Sequence, residues 1–165
     1  VPDSKGARAV HRLSPEERQL GLARLHLAAL VLFTFPGSPT VYYGDEAGME
    51  GWEDPFNRAG YPWDQEATEL KAWFTQLAQL RRDHPALRSG QLHWRWTAGP
   101  ILAFARELNG QLLTTVVNAA DTPQSLTLPC SGGTVRELLS NETLSPADNV
   151  LPLTLLPHQG FLLES

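Results

Sequence analysis

Apolar residues recur at helical spacing twice in the first half of this chain and alternate like strands through the second half. Ser14-Pro15-Glu16-Glu17 opens the first helical pattern. Ser14 can cap, Pro15 suits the first helical position, and Glu17 closes a capping box. Leu20, Ala23, Leu27, Leu30 and Val31 follow on one face, and Pro36-Gly37 should end the helix. Thr40-Val41-Tyr42-Tyr43 is a continuous β-prone run between Pro39 and Gly44, so it reads as a strand buried on both faces. A long loop from Gly48 to about Asp64 carries Trp52, Phe56, Tyr61 and Trp63. Long ordered loops are uncommon and tend to be functional. A second helix is expected from about Glu66 to Asp83, with Leu70, Trp73, Phe74, Leu77 and Leu80 on one face and Pro85 as its stop.

Beyond residue 90 the pattern is antiparallel β. Ile101–Glu107 and Leu112–Asn118 flank Asn109-Gly110, the strongest short hairpin signal. Further strands are expected at 91–96, 124–128, 133–139, 151–156 and 160–164. Leu151, Leu153 and Leu155 share one face, as do Phe161 and Leu163. Turns are marked by Gly132-Gly133 and by Pro146 to Asn149. The spacing suggests a small β-sandwich.

Composition narrows the function classes. The 165 residues are 42% hydrophobic and 19% charged, which suits a packed core, and the net charge is −5. No basic stripe exists for a phosphate backbone, so nucleic acid is not an expected partner. The basic residues are mostly Arg, a bias given no functional weight here. Leu22–Phe35 is too short for a membrane span and is interrupted by Arg24 and His26, so no membrane partner is expected. The single cysteine, Cys130, forbids an internal disulfide and a Cys-rich zinc site. With no visible signal peptide, it fits the cytoplasm. The opening at Val1 suggests a piece of something longer, as does a buried strand lacking parallel neighbours.

Candidate chemistry lies between residues 45 and 63. Asp45-Glu46 is a carboxylate pair, but neighbours continuing a strand point to opposite faces, which favours a structural role. Asp54 and Arg58 could form bidentate hydrogen bonds with sugar hydroxyls, or simply bridge and order the loop. Trp52, Tyr61 and Trp63 could stack on a pyranose. The histidines His11, His26, His84, His93 and His158 have no metal-ligand spacing; His26 reads as packed and His84 as a helix cap. Asn141-Glu142-Thr143 is a glycosylation sequon, discounted for want of a secretion signal.

The run Phe35 to Met49, containing PGSPTVYYGDEAGM, resembles the eighth-strand segment of the α-amylase superfamily, glycoside hydrolase family 13. Asp54-Pro55-Phe56-Asn57-Arg58 and Tyr61-Pro62-Trp63-Asp64 are similar to members acting on maltodextrin and pullulan. Leu77–Gly90 resembles the last barrel helix and its exit, and Pro157–Leu163 the final strand of the C-terminal sandwich. The resemblance implies an α/β plus all-β fold. Residues 1–88 would supply helix 7, strand 8 and helix 8 of a (β/α)₈ barrel, and residues 89–165 a small antiparallel β-sandwich. It implies a longer retaining hydrolase of α-glucans, with an oligosaccharide partner and no redox cofactor. The family's three catalytic carboxylates lie upstream of the segments matched, so no catalytic residue is expected here, and no calcium loop is visible.

Asp54 and Arg58 match positions that bind glucose hydroxyls in relatives, and Trp63 would shape that edge. Tyr43, Asp45 and Glu46 look like framework. Relatives often carry a basic residue or proline where this chain has Ala59-Gly60. The alternatives are a non-catalytic carbohydrate-binding or interaction module, and a glucan-transferring or trehalose-forming relative. The apolar faces of both helices and Val41 should lack partners, so self-association is expected.

Overall fold

A computed structural model describes residue 6 and residues 12–64, 67–130 and 133–165. The expectations at His11, Glu66 and Gly132 fall outside the described residues. Among the residues from 12 onward that are described, the helices are α1 (Pro15–Thr34), α2 (Thr68–Asp83) and α3 (Pro85–Ser89). Eight strands follow: β1 (Gln91–Trp96), β2 (Ile101–Leu108), β3 (Gln111–Asn118), β4 (Gln124–Pro129), β5 (Val135–Glu137), β6 (Thr143–Leu144), β7 (Val150–Leu155) and β8 (Gly160–Glu164).

The local signals act as physics requires. Ser14 Oγ accepts from the Glu17 N–H at 3.2 Å, and Glu17 Oε2 accepts from the Ser14 N–H at 2.8 Å. Such a cap contributes about 1 kcal/mol to α1. Asn109 and Gly110 both take positive φ, 52° and 84°, as the tight β2–β3 hairpin demands.

The strands form two antiparallel sheets. One has six strands in the order β1-β2-β3-β8-β5-β6, and the other pairs β4 with β7. Burial patterns reveal the layers. β7 alternates, with Leu151, Leu153 and Leu155 buried, because one face of the small sheet meets water. β3 is buried almost continuously from Leu113 to Asn118 because both its faces are covered. Val116 packs with Ile101, Leu126, Leu153 and Leu163 between the sheets. Leu113, Val117 and Leu162 pack on the opposite face, against Leu27, Leu30 and Phe33 of α1 and Leu70, Phe74 and Leu77 of α2. Each fully buried side chain of this kind contributes roughly 1.5–3 kcal/mol.

Two buried arginines close the joint between helices and sheet. Arg106, 1% exposed, donates to the carbonyls of Thr34 (3.0 Å), Leu87 (2.9 Å) and Gly90 (2.9 Å). Arg81 donates to Phe33 O (2.6 Å), Phe35 O (3.2 Å) and Gly37 O. Together they satisfy carbonyls at and beyond the end of α1, which otherwise has no basic residue in its last turn. Burial lowers the proton affinity of both, aided at Arg81 by Arg88 and at Arg106 by Arg81. The arginine bias therefore carries structural weight that composition did not show. Glu137, 3% exposed, is held by the N–H groups of Leu139, Ser140 and Leu162.

Two expectations are corrected. Residues 40–43 form no strand, and Tyr42 and Tyr43 are exposed. A strand needs partners for its N–H and C=O groups, and among the described residues no strand lies alongside this run. The backbone bonds to itself instead: Asp45 N–H to Tyr42 O (3.1 Å), Gly48 N–H to Asp45 O (3.1 Å) and Met49 N–H to Gly44 O (2.9 Å). Nor are the helix faces left bare. They pack on each other and on the sheet, and Val41 is partly covered by that core. What remains open is an apolar groove of about 710 Å³ between α1 and β2–β3, lined by residues such as Leu27, Val31, Phe35, Leu102 and Val117.

Candidate functional site

The segment after α1 is built from successive turns. Gly44 has φ +95°, and a Cβ there would collide with the Met49 sulfur, so glycine is required. Glu46 turns back on this bend and accepts from the Gly44 N–H at 3.0 Å. Asp45 is held above the usual carboxylate range by burial and then by the Glu46 charge, with a backbone hydrogen bond at Tyr42 offsetting part of the rise. The opposite-face argument for this pair fails, since no strand exists. Glu46 nonetheless serves the turn.

The long loop is tied down at its start. Arg18 donates to Gly48 O (3.1 Å) and to Glu50 (3.0 Å), and the second Glu50 oxygen accepts from the Leu13 N–H at 3.1 Å. At its far end the Ala67 N–H reaches Ala47 O at 3.3 Å. Two consecutive turns, Phe56 N–H to Glu53 O (2.9 Å) and Arg58 N–H to Pro55 O (3.1 Å), bring residues 54 and 58 together. Arg58 Nη2 then lies 2.6 Å from Asp54 Oδ1, with the two side chains 67% and 62% exposed. Tyr43 donates its hydroxyl proton to Ala59 O at 3.0 Å and so steadies the loop. Trp63 is 76% exposed, and its ring lies 4.7 Å from that of Tyr61.

Of the expected site residues, the structure thus joins Asp54 to Arg58 and stands Trp63 on the same loop beside Tyr61. An exposed ion pair adds only about 0–1 kcal/mol to stability, so it can exchange partners at little cost. Its chemistry is that of binding: a carboxylate that accepts and a planar fork that donates, with aromatic rings on the same loop. A groove of about 500 Å³ runs from Tyr43 and Glu46 to Lys71 and Phe74 of α2. The larger 710 Å³ groove lies elsewhere and is lined by few polar groups. Among the described residues no three His, Cys, Asp or Glu side chains gather where they could hold a metal ion. Among them too, no helix is long and apolar enough to cross a membrane.

His26 is packed: its Nδ1 lies 2.8 Å from Leu22 O and its ring 5.5 Å from that of Trp73. His84 is the C-cap of α2 and the N-cap of α3, as its place before Pro85 suggests. The sequence reading missed Arg18 and Glu50, which anchor the loop. Their separation of 32 residues leaves no local signal.

Comparison with known proteins gives these arrangements a setting. Residues 97–162 match the family "Maltogenic Amylase, C-terminal domain". An amylopullulanase of Thermoanaerobacter thermohydrosulfuricus is 38% identical over 99 residues, which is 59% of this chain and 7% of that protein. Neopullulanase 2 of Thermoactinomyces vulgaris is 34% identical over 149 residues, 86% of this chain and 25% of that protein. An α-amylase of Anoxybacillus superposes with a TM-score of 0.81 at 27% identity, over 87% of this chain and 32% of its own. The chain thus spans no more than a quarter of the length of these two curated relatives.

Proposed function

We propose that this chain, a C-terminal portion of a glycoside hydrolase family 13 (α-amylase superfamily) protein, supplies a wall of the substrate cleft and the C-terminal sandwich of a retaining α-glucan hydrolase. Maltodextrin, pullulan or starch-type chains are its substrates. Residues 1–88 are the end of the barrel and 89–165 the sandwich. What supports a shared fold beyond the sandwich is that the α-amylase superposition covers 87% of the chain, which must reach well into the helical half.

The observation that carries the reading is the exposed Asp54–Arg58 pair on a loop whose relatives act on such glucans. Asp54 accepts from one sugar hydroxyl and Arg58 donates to another, while Trp63 offers a ring face to the pyranose. Hydrolysis with retention needs two further carboxyl groups about 5–5.5 Å apart, one as nucleophile and one as acid and then base. We assign neither to this chain. They belong to the remainder of the longer protein.

Asp54→Ala in that longer enzyme is expected to raise KM for maltotriose about tenfold, a loss of about 1.4 kcal/mol in binding, with the melting temperature unchanged. Unaltered kinetics would overturn the assignment. The chain by itself should not hydrolyse maltotriose; turnover that survives repurification in proportion to protein would overturn that part. Calorimetry on the same chain separates the binding-module alternative, which requires maltotriose binding without the facing wall. The isolated chain should also pair with a copy of itself through its uncovered groove, and a monomer in light scattering would count against this.

A further inference from the structure

His84 stands at the kink between α2 and α3, where the helical layer meets the sheet, and its side chain is 13% exposed. Its Nδ1 lies 3.1 Å from Gln111 Nε2 on β3, and the same amide nitrogen lies 2.9 Å from Glu164 Oε1 on β8. An amide NH₂ only donates, so Nδ1 must accept, and the ring must be neutral with its proton on Nε2. Glu164 Oε1 waits 3.7 Å from Nδ1, while its second oxygen pairs with Arg136 of β5 at 3.0 Å.

The other charges near the kink are engaged elsewhere. Arg81 and Arg88 donate to backbone carbonyls, and Asp83 accepts from Gln79. Arg82 also contacts Gln79. On β2, Arg106 holds its three carbonyls and Glu107 pairs with His93 at 3.2 Å. Glu164 is therefore the carboxylate that faces the ring.

We propose that His84, Gln111 and Glu164 form a proton-driven switch at the joint between helices and sandwich. A proton added to Nδ1 turns an acceptor into a donor, which then confronts the donor face of Gln111. The amide rotates to present its oxygen, or withdraws, and Glu164 Oε1 takes the imidazolium directly. One proton thereby exchanges a neutral amide bridge for a charged pair between α2 and the last strand.

Nuclear magnetic resonance on the chain tests this. At pH 8 the His84 ring should be the Nε2–H tautomer. On acidification its ring signals and the Gln111 side-chain amide signals should move with one shared midpoint. Glu164→Gln should lower that midpoint by about one pH unit, a tenfold loss of proton affinity. An Nδ1–H tautomer at pH 8, or a Gln111 amide that ignores the His84 titration, would overturn the switch, and neither readout needs a variant. An unchanged midpoint in a folded Glu164→Gln chain would overturn it as well.

Discussion

The run at residues 40–43 and strand β3 are built from similar residues, and they meet opposite fates. Thr40-Val41-Tyr42-Tyr43 is as β-prone as Thr114-Thr115-Val116-Val117. The second run sits between β2 and β8 and bonds to both. The first has no strand on either side among the described residues and closes turns on itself. Strand formation is thus a property of a pair or a sheet. A sequence run states only its suitability, and its neighbours decide. The sandwich carries its own neighbours; the segment leading to the candidate site does not.

The largest perturbation of this contrast should come from the joint between the two regions. Arg106→Leu strips two buried carbonyls and one part-buried carbonyl of their donor. It is expected to cost about 3 kcal/mol or more in urea unfolding; a loss below about 1 kcal/mol would show that water enters the joint freely. Glu137→Gln should be smaller and confined to the sandwich. It turns an NH₂ group toward the backbone N–H groups of Ser140 or Leu162, for about 1–3 kcal/mol. Gly44→Ala should act on the other side only. It costs about 1 kcal/mol or more for its positive φ and loosens residues 42–49, visible as faster proteolytic nicking there with the sandwich intact.

Asp45 should give the smallest effect, and one of distinctive sign. Its proton affinity is raised in the folded chain by burial and by Glu46. The folded state then binds more protons than the unfolded state through the acid range, so this group's contribution falls as pH rises through the Asp45 midpoint. Asp45→Asn should remove that decline, leaving stability at neutral pH equal or slightly higher. A steeper decline in the variant would contradict the assignment.

Much of the fold is legible wherever the determinants are local. The Ser14–Glu17 box, the Asn109-Gly110 hairpin and the alternating leucines of β7 each act within a few residues, and the structure carries all three. β5 is shorter than expected and β6 unforeseen, because both depend on pairing across 133–144. At the candidate site, the i,i+4 spacing of Asp54 and Arg58 made their bridge one of two readings. Arg18 with Glu50, and the roles of Arg81, Arg106 and Glu137, leave no trace in any local pattern. Their partners are distant in the chain or are backbone groups that every residue carries.

That last circumstance bears on how such proteins diverge. Arg106 recognises main-chain oxygens at residues 34, 87 and 90, so its bonds ask nothing of the side chains at 34 and 87, which answer to core packing instead. Gly90 is the exception, since a Cβ there would stand 2.5 Å from Ala86 O and 2.8 Å from Glu107 O. Among descendants of this chain, the joint would persist as a solitary arginine column with no acidic column changing in step. Methods that infer contacts from paired substitutions would pass over the bond network that holds the two layers together.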